Sequence, residues 1–176
     1  MVTIRAELLS DALSREALLD RAFGRNRNRK TSQRLRDGRM PAEGLAFSAL
    51  NKSGRLIGTL RLWNVIAGSA GPALLLGPLA VEGRYQRRGI GRELMQHGLN
   101  MARVLGHEAV ILVGDEPYYS RFGFRPGLVQ DLHLPGPVDR KRFLGLELAP
   151  GALDGAEGLV IGSGDLLILS KKVLAA

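Results

Sequence analysis

The sequence predicts a single domain that combines α-helices with a mixed β-sheet. Residues 73–113 have the pattern of an apolar strand, an amphipathic helix and a second apolar strand, an order that requires a parallel crossover. Two strand-like segments on either side of Ser53 and Gly54 predict an antiparallel hairpin. With 176 residues, 45% of them hydrophobic, the chain is long enough to form one core. These observations predict the α/β (α+β) class.

The segment before the sheet is expected to hold one strand and two helices. A strand is predicted near residues 2–8 and a helix over 14–23, with Ser14 capping its N-terminus and Gly24 ending it. A shorter helix is predicted from Thr31 or Ser32 to residue 36.

The hairpin segments are residues 44–52 and 55–66, with Trp63 on the second strand. After a glycine-rich break, residues 73–81 form an almost wholly apolar segment, which predicts a central strand covered on both faces. Pro78 cannot donate a hydrogen bond, so it predicts a bulge within that strand.

The next helix is predicted over residues 91–105, where apolar side chains recur at helical spacing. A buried strand follows over 107–113, and two later strands are predicted near 129–134 and 143–148. Residues 149–164 are predicted to form a loop, and the pattern of the last twelve residues is ambiguous.

Composition excludes several classes of site. The chain has no cysteine, and its three histidines lack metal-ligand spacing, so neither a disulfide framework nor a metal site is expected. There is no leader pattern and no uncharged apolar stretch of membrane-spanning length, so we expect a cytoplasmic protein without a membrane partner.

The chain is basic, with a net charge of +8. The densest group of charges lies between Arg21 and Arg39. Three interpretations are open: a solvated helical face, a surface that recognises a phosphorylated or acidic acceptor, and nucleic-acid binding. Sparse aromatic residues in this region disfavour nucleic acid.

The loop before the second helix has the composition of a phosphate site. Gly89 and Gly91 allow close backbone approach, and a helix N-terminus with three nearby arginines suits a pyrophosphate. The segment lacks the lysine and hydroxyl of a P-loop, and it lacks the third glycine of a dinucleotide fingerprint.

The string Gln86-Arg87-Arg88-Gly89-Ile90-Gly91 matches the signature Gln/Arg-x-x-Gly-x-Gly/Ala. Further along, Val113-Gly114-Asp115 precedes Tyr118-Tyr119-Ser120-Arg121-Phe122-Gly123-Phe124. In these motifs, and over residues 74–124, the chain resembles the GCN5-related N-acetyltransferase (GNAT) family. The amino-acid sequence of the motifs is most similar to that of a bacterial subgroup of predicted acetyltransferases.

The resemblance implies a mostly antiparallel sheet whose central parallel pair splays apart to admit coenzyme A, with helices on both faces. Residues 1–43 would form the acceptor side, 44–127 the cofactor-binding core, and 128–176 the C-terminal strands and tail. The acetyl and pantetheine groups would meet one strand end, and the pyrophosphate would meet the loop after it. The implied cofactor-binding residues are Leu79, Ala80, Val81, Gln86, Arg87, Arg88, Gly89, Ile90, Gly91 and Arg92.

Two positions depart from the family pattern. Gly83 stands where a proline is common, and the asparagine that often begins the last helix is absent. The second departure bears on the pantetheine contacts.

Tyr119 matches the tyrosine of the family's Tyr-x-x-x-Gly-Phe pattern, and it would donate a proton to the departing thiolate. The alternative is that it only packs in an aromatic cluster, the role assigned to Tyr118 and to the two phenylalanines of the motif. Glu82 is a candidate general base because it follows the acetyl-binding strand. By their positions in the chain, Glu43, Asp115 and Glu116 are further candidates for the general base, and a chain of water molecules could serve instead.

The expected function is direct transfer of an acetyl group from acetyl-CoA to an amine, since the chain has no cysteine to form an acyl-enzyme. The acceptor would be an amine-bearing small molecule, a protein N-terminus or a lysine, contacted by residues near 24–43 and 127–150. A homodimer is left open. A non-catalytic acyl-CoA sensor and a basic nucleic-acid-binding protein are the alternatives.

Overall fold

The computed structural model describes residues 2–167, and its central feature is a mixed sheet. Along its main path the strand order is β1-β2-β3-β4-β5-β7, with β8 pairing to β3 and β6 pairing to β8. The β4–β5 pair is parallel, whereas the other neighbours on the main path are antiparallel. The elements are α1 (Ala12–Phe23), α2 (Ile90–Val104), α3 (Glu116–Tyr119), β1 (Thr3–Ala6), β2 (Ala46–Leu50), β3 (Leu56–Ala67), β4 (Pro72–Val81), β5 (Ala109–Val113), β6 (Asp131–His133), β7 (Phe143–Glu147) and β8 (Glu157–Gly162).

The two long helices cover opposite faces of the sheet. Leu79 of β4 packs in a core with α2 residues such as Leu94, whereas the adjacent Ala80 packs with Leu18 and Leu19 of α1. Because successive strand residues point to opposite faces, α1 and α2 lie on different sides of β4. The predicted α/β (α+β) class, with helices on both faces, is confirmed.

The N-terminal elements differ in detail from the prediction. Helix α1 begins two residues earlier, after a 3-10 turn over Leu9–Asp11, so Ser14 lies inside the helix and the expected cap is wrong. In place of a second α-helix, two 3-10 turns cover Arg25–Arg29 and Thr31–Leu35. Leu35 anchors the second turn, since its side chain is only 2% exposed.

The predicted hairpin is confirmed as β2 and β3, with Trp63 on the second strand. Asn51 closes its turn, because its side-chain oxygen accepts hydrogen bonds from the backbone N–H groups of Ser53 and Arg55. Such side-chain acceptors commonly stabilise tight turns.

Strand β4 is an internal strand, as its apolar sequence predicts. Its pairing with β3 shifts register between Leu60 and Leu62, opposite Gly77 and Pro78, which confirms the predicted irregularity. The Gly77–Pro78 peptide is cis.

The C-terminal region contains one strand that the sequence did not predict. Residues 149–164 were expected to form a loop, but 157–162 form β8, which pairs with the far end of β3. Four of its six residues are exposed and Val160 alone is buried, so its sequence lacks a strong strand pattern. Most of the ambiguous C-terminal segment lies outside the described residues.

Candidate active site

A cavity opens where the two parallel strands separate. β4 and β5 pair only at Leu74 with Val110 and at Leu75 with Ile111. Beyond these pairs β5 continues beside β7, and the gap next to β4 becomes a cavity of about 740 Å³. Its walls include residues 76–81 of β4 together with Val113 and Gly114 at the end of β5. The splayed strand pair that the resemblance implies is therefore present.

The predicted phosphate loop forms one wall of this cavity. Gly89 has φ +84° and immediately precedes α2, so it offers no side chain to cap the first N–H groups of that helix. Arg87 also has a positive φ, 59°, which is rare for a residue with a side chain and costs backbone energy. Free helix N–H groups beside arginines form an electropositive surface suited to phosphate.

Nearly all of the predicted cofactor residues line the cavity. The exception is Arg88, whose guanidinium instead lies 5.6 Å from the centre of the Tyr85 ring. Gln86 lines the cavity, and its side-chain amide also donates to the carbonyl of Val81 at 3.2 Å. The predicted residues found in the lining are Leu79, Ala80, Val81, Gln86, Arg87, Gly89, Ile90, Gly91 and Arg92.

Tyr119 lies in the cavity wall on α3, which is a single turn as expected. Burial raises the pKa of its phenol to about 12, and the nearby Arg142 partly opposes this shift. The ring packs so tightly against Gly114 that a Cβ there would lie 2.3 Å from a Tyr119 ring carbon. The lack of a side chain at Gly114 therefore allows the Tyr119 ring to occupy this position in the cavity wall.

Tyr118 was predicted only to pack in the aromatic cluster, but the structure gives its hydroxyl a defined position. Its side chain lines the cavity, and its hydroxyl would lie 2.9 Å from a Cβ at Gly91. The absence of a side chain at Gly91 therefore lets the Tyr118 hydroxyl reach the first turn of α2. Position 118 carried no sequence signal that separated this contact from packing.

Glu82 does not reach the cavity wall. Its carboxylate accepts a hydrogen bond from Arg21 at 2.7 Å, and this interaction lowers the pKa of Glu82. An ion-paired carboxylate with a lowered pKa is a weak base, so the geometry does not favour Glu82 in that role. Of the other carboxylates considered, Asp115 lines the cavity, whereas Glu43 and Glu116 do not.

Part of the basic cluster faces inward. Arg27, Lys30 and Arg36 line the cavity, and Arg142 joins them from the segment before β7. Arg27 and Arg36 are half-buried, so a solvated face does not describe these two residues. Lys30 and Arg142 line the cavity but remain exposed, as are Arg25 and Arg29 outside it. Arg142 gave no signal in the sequence, because only the folded chain brings it near the early turns.

No group of three histidine, cysteine or acidic side chains within residues 2–167 is arranged to hold a metal ion. In the same residues, no helix is long and apolar enough to cross a membrane.

A mixed sheet that splits between its parallel strands, with a helix N-terminus facing the split, is the architecture of the acetyltransferases that this chain resembles. Residues 12–124 match the family model for the acetyltransferase (GNAT) family. The chain belongs to this family.

Two relatives show how far the likeness extends. The uncharacterized N-acetyltransferase YhbS of Escherichia coli is 34% identical over 158 residues, which cover 89% of this chain and 93% of YhbS. The crystal structure of E. coli YhbS in complex with CoA superimposes with a TM-score of 0.77 at 33% identity, covering 92% of this chain and 89% of the YhbS chain. A GNAT family acetyltransferase from Brucella melitensis, in complex with acetyl-CoA, gives a TM-score of 0.65 at 27% identity and covers 93% of this chain and 96% of its own.

Proposed function

We propose that this protein transfers the acetyl group of acetyl-CoA directly to an amine. The observation that carries the proposal is the cavity between β4 and β5, which joins the phosphate loop to Tyr119. The structures of the two relatives with CoA and acetyl-CoA support the choice of donor.

In this proposal the donor lies along the open edge of β4. Leu79, Ala80 and Val81 pair with β3 on one side, but β5 no longer pairs with them on the other. The backbone groups on the side of β4 that β5 leaves unpaired can therefore bind the pantetheine amides and the thioester carbonyl, apart from the Val81 carbonyl, which accepts from Gln86. Fixed N–H donors stabilise the negative charge that develops on this oxygen during attack, without having to reorganise. The pyrophosphate lies at Gly89 and the first turn of α2.

Tyr119 faces the departing sulfur in this arrangement. With a pKa of about 12 its phenol stays protonated at neutral pH, so it always has a proton to offer. Full transfer of this proton to the thiolate of a thiol whose pKa is about 8.5 is uphill by about 3.5 pKa units. Tyr119 therefore acts by donating a hydrogen bond as charge builds on sulfur, and complete transfer is coupled to proton loss from the attacking nitrogen, which becomes cationic when it bonds to the acetyl carbon.

The attacking amine must be neutral. Asp115 is the acidic side chain in the described wall of the cavity, whereas arginines and Lys30 supply most of its charge. Positive charges nearby lower the pKa of an ammonium group, since they disfavour its charged form. We propose that this field favours the neutral amine and that water in the open cavity carries its proton away.

The substitution Gly89→Glu tests the donor site. A glutamate there would place bulk and negative charge where the pyrophosphate is expected, so acetyl-CoA binding measured by isothermal titration calorimetry should be abolished.

Gly106→Glu is the matched control for this experiment. Gly106 lies just beyond the other end of α2 with φ +83°, and it likewise has no close neighbour at its Cβ position. Both substitutions therefore impose a similar backbone penalty, but only Gly89 lines the cavity. Equal affinity of the two variants for acetyl-CoA would refute the proposed donor site.

A further inference from the structure

The end of the cavity nearest the early turns holds three positive side chains close together. Lys30 and Arg36 come from the turns that follow α1, and Arg142 comes from the segment before β7. Desolvation lowers the pKa of Lys30, and the charges of Arg142 and Arg36 lower it further, which indicates that the three groups are neighbours. Burial lowers the pKa of Arg36 to about 10, against the opposing effect of Asp37.

These three cations lack the ion pairs with carboxylates that neutralise the charge of the neighbouring Arg27. Arg27 is paired with Asp20 at 2.8 Å and also with Glu16. Within residues 2–167, by contrast, no carboxylate forms an ion pair with Lys30, Arg36 or Arg142.

Among residues 2–167, the side-chain hydrogen bonds of Arg36 and Arg142 are to neutral groups. The Arg36 guanidinium donates to the carbonyl oxygen of Ser32 at 3.2 Å and to its hydroxyl at 2.9 Å. The Nε of Arg142 donates to the carbonyl of Gly114 at 3.3 Å. The Nζ of Lys30 lies 4.8 Å from the centre of the Phe23 ring. Several N–H donors and the full positive charges thus remain available to a ligand.

Arg142 places this cluster beside the reacting end of the cavity. Its Nε donates to the carbonyl of Gly114, against which the Tyr119 ring packs, and its charge acts on both Tyr119 and Lys30, so Arg142 lies near the tyrosine and near the early turns. The donor's phosphates would lie elsewhere, at the α2 loop, separated from the thioester by the pantetheine arm. The cluster therefore faces the second substrate.

We propose that the acceptor is a small primary amine that also carries a phosphate or carboxylate group, and that Lys30, Arg36 and Arg142 hold this anion while the amine faces the thioester. This inference rests on the proposed acetyltransferase function. Guanidinium groups bind phosphate and carboxylate in paired, charge-assisted hydrogen bonds. The positive charges of these three side chains repel polycations, which disfavours polyamines and aminoglycosides as acceptors.

Paired amines that differ in the anionic group provide the test. We would measure coenzyme A release with ethanolamine and O-phosphoethanolamine, butylamine and 4-aminobutyrate, and glucosamine and glucosamine 6-phosphate, with spermidine as a polycation. The proposal expects kcat/KM for at least one anionic member to exceed that of its neutral partner about tenfold or more. Faster turnover of the neutral amines or of spermidine would overturn it.

Variants of the cluster show whether these side chains cause the preference. Lys30→Gln and Arg142→Gln should each raise KM for the preferred anionic amine about tenfold, so that the preference over its neutral partner falls. Arg25→Gln and Arg29→Gln remove exposed arginines outside the cavity wall and should leave the preference intact. A preference that survives in Lys30→Gln and Arg142→Gln would refute the assignment.

A binding measurement separates this inference from the proposed function. The protein is first saturated with coenzyme A, which occupies the α2 loop, and is then titrated calorimetrically with the anionic amines. Saturable binding that Arg142→Gln weakens about tenfold supports the cluster, and failure of every anionic amine to bind overturns it. A protein that binds acetyl-CoA but prefers neutral amines would contradict the inference alone, whereas a protein that does not bind acetyl-CoA would contradict the proposed function.

Discussion

Tyr119 shows how the environment of one residue sets the chemistry that it can perform. The ring contacts Tyr118 and Phe124 in edge-to-face geometry, with centroid separations of 5.0 and 6.0 Å. These contacts bury the phenol and raise its pKa. The packing role and the proton-donor role that the sequence left as alternatives are therefore compatible, since packing keeps the hydroxyl protonated.

Tyr119→Phe separates an enzyme from a non-catalytic sensor. The phenylalanine keeps the aromatic packing but lacks the hydroxyl, so we expect kcat to fall about tenfold or more. The Kd for acetyl-CoA, measured by calorimetry, should stay within about twofold of the parent value because the ring remains in place.

Tyr118→Phe is the matched comparison, since the Tyr118 hydroxyl lies at Gly91, whereas the Tyr119 ring packs against Gly114. We expect this variant to affect acetyl-CoA affinity more than kcat. An unchanged kcat in Tyr119→Phe would contradict the role proposed for that hydroxyl.

Sequence motifs located Tyr119 and the phosphate loop because both lie in short, continuous strings. They could not locate Arg142, which reaches the cavity only through pairing of the distant β5 and β7 strands. They also could not show that Glu82 would pair with Arg21, 61 positions earlier in the chain. Local spacing predicts which residues share a loop, whereas the pairing of charges depends on the folded arrangement.

At the scale of secondary-structure elements, Asp11 joins three of them. Its carboxylate accepts hydrogen bonds from Arg5 of β1 at 2.6 and 2.9 Å and from the Ser48 hydroxyl of β2 at 2.8 Å. It also accepts from the backbone N–H of Leu8, just before the 3-10 turn that leads into α1. The hydrogen bond from Arg5 is the main reason that the pKa of Asp11 is lowered.

Asp11→Asn should destabilise the fold by about 2 kcal/mol at neutral pH, because it removes the charge that these donors face. A carboxyl group with a lowered folded pKa stabilises the protein above its unfolded pKa of about 3.9, and this contribution is lost as pH falls towards the folded value. The difference in unfolding free energy between parent and variant should therefore shrink between pH 5 and about pH 2.

Urea denaturation across this pH range measures the difference. Asp131→Asn is the control, since Asp131 is exposed on β6 and its carboxylate accepts a long hydrogen bond of 3.4 Å from Gln130. A pH-independent effect of Asp11→Asn would contradict the linkage to this carboxyl group.

The accuracy of the element predictions follows from how strongly each sequence is patterned. α2 and β4 were predictable because their apolar residues recur at helical spacing or form an unbroken run. β8 was missed because Val160 is its one fully buried side chain, while Leu159 and Ile161 are about half exposed. Its strand conformation depends on pairing with the end of β3, a contact that local patterning does not encode.

At the scale of the whole molecule, the cavity draws its wall from segments spread between Phe23 and Arg142. The phosphate loop at Gly89 and the three cations Lys30, Arg36 and Arg142 line the same cavity, so both substrates can be bound at the same time. No cysteine exists in the chain to carry the acetyl group. Ser32 lines the cavity, but its hydroxyl accepts a hydrogen bond from Arg36, and no histidine is found in the described wall to activate it.

Steady-state kinetics should therefore show a ternary complex. When acetyl-CoA is varied at several fixed amine concentrations, double-reciprocal plots of the initial rates should intersect, because both substrates must be bound before the acetyl group moves. An acyl-enzyme that releases coenzyme A before the amine binds would give parallel lines. Parallel lines would contradict direct transfer and would require a nucleophile on the protein. Intersecting lines that are retained in Ser32→Ala would exclude the serine and leave the amine as the attacking group.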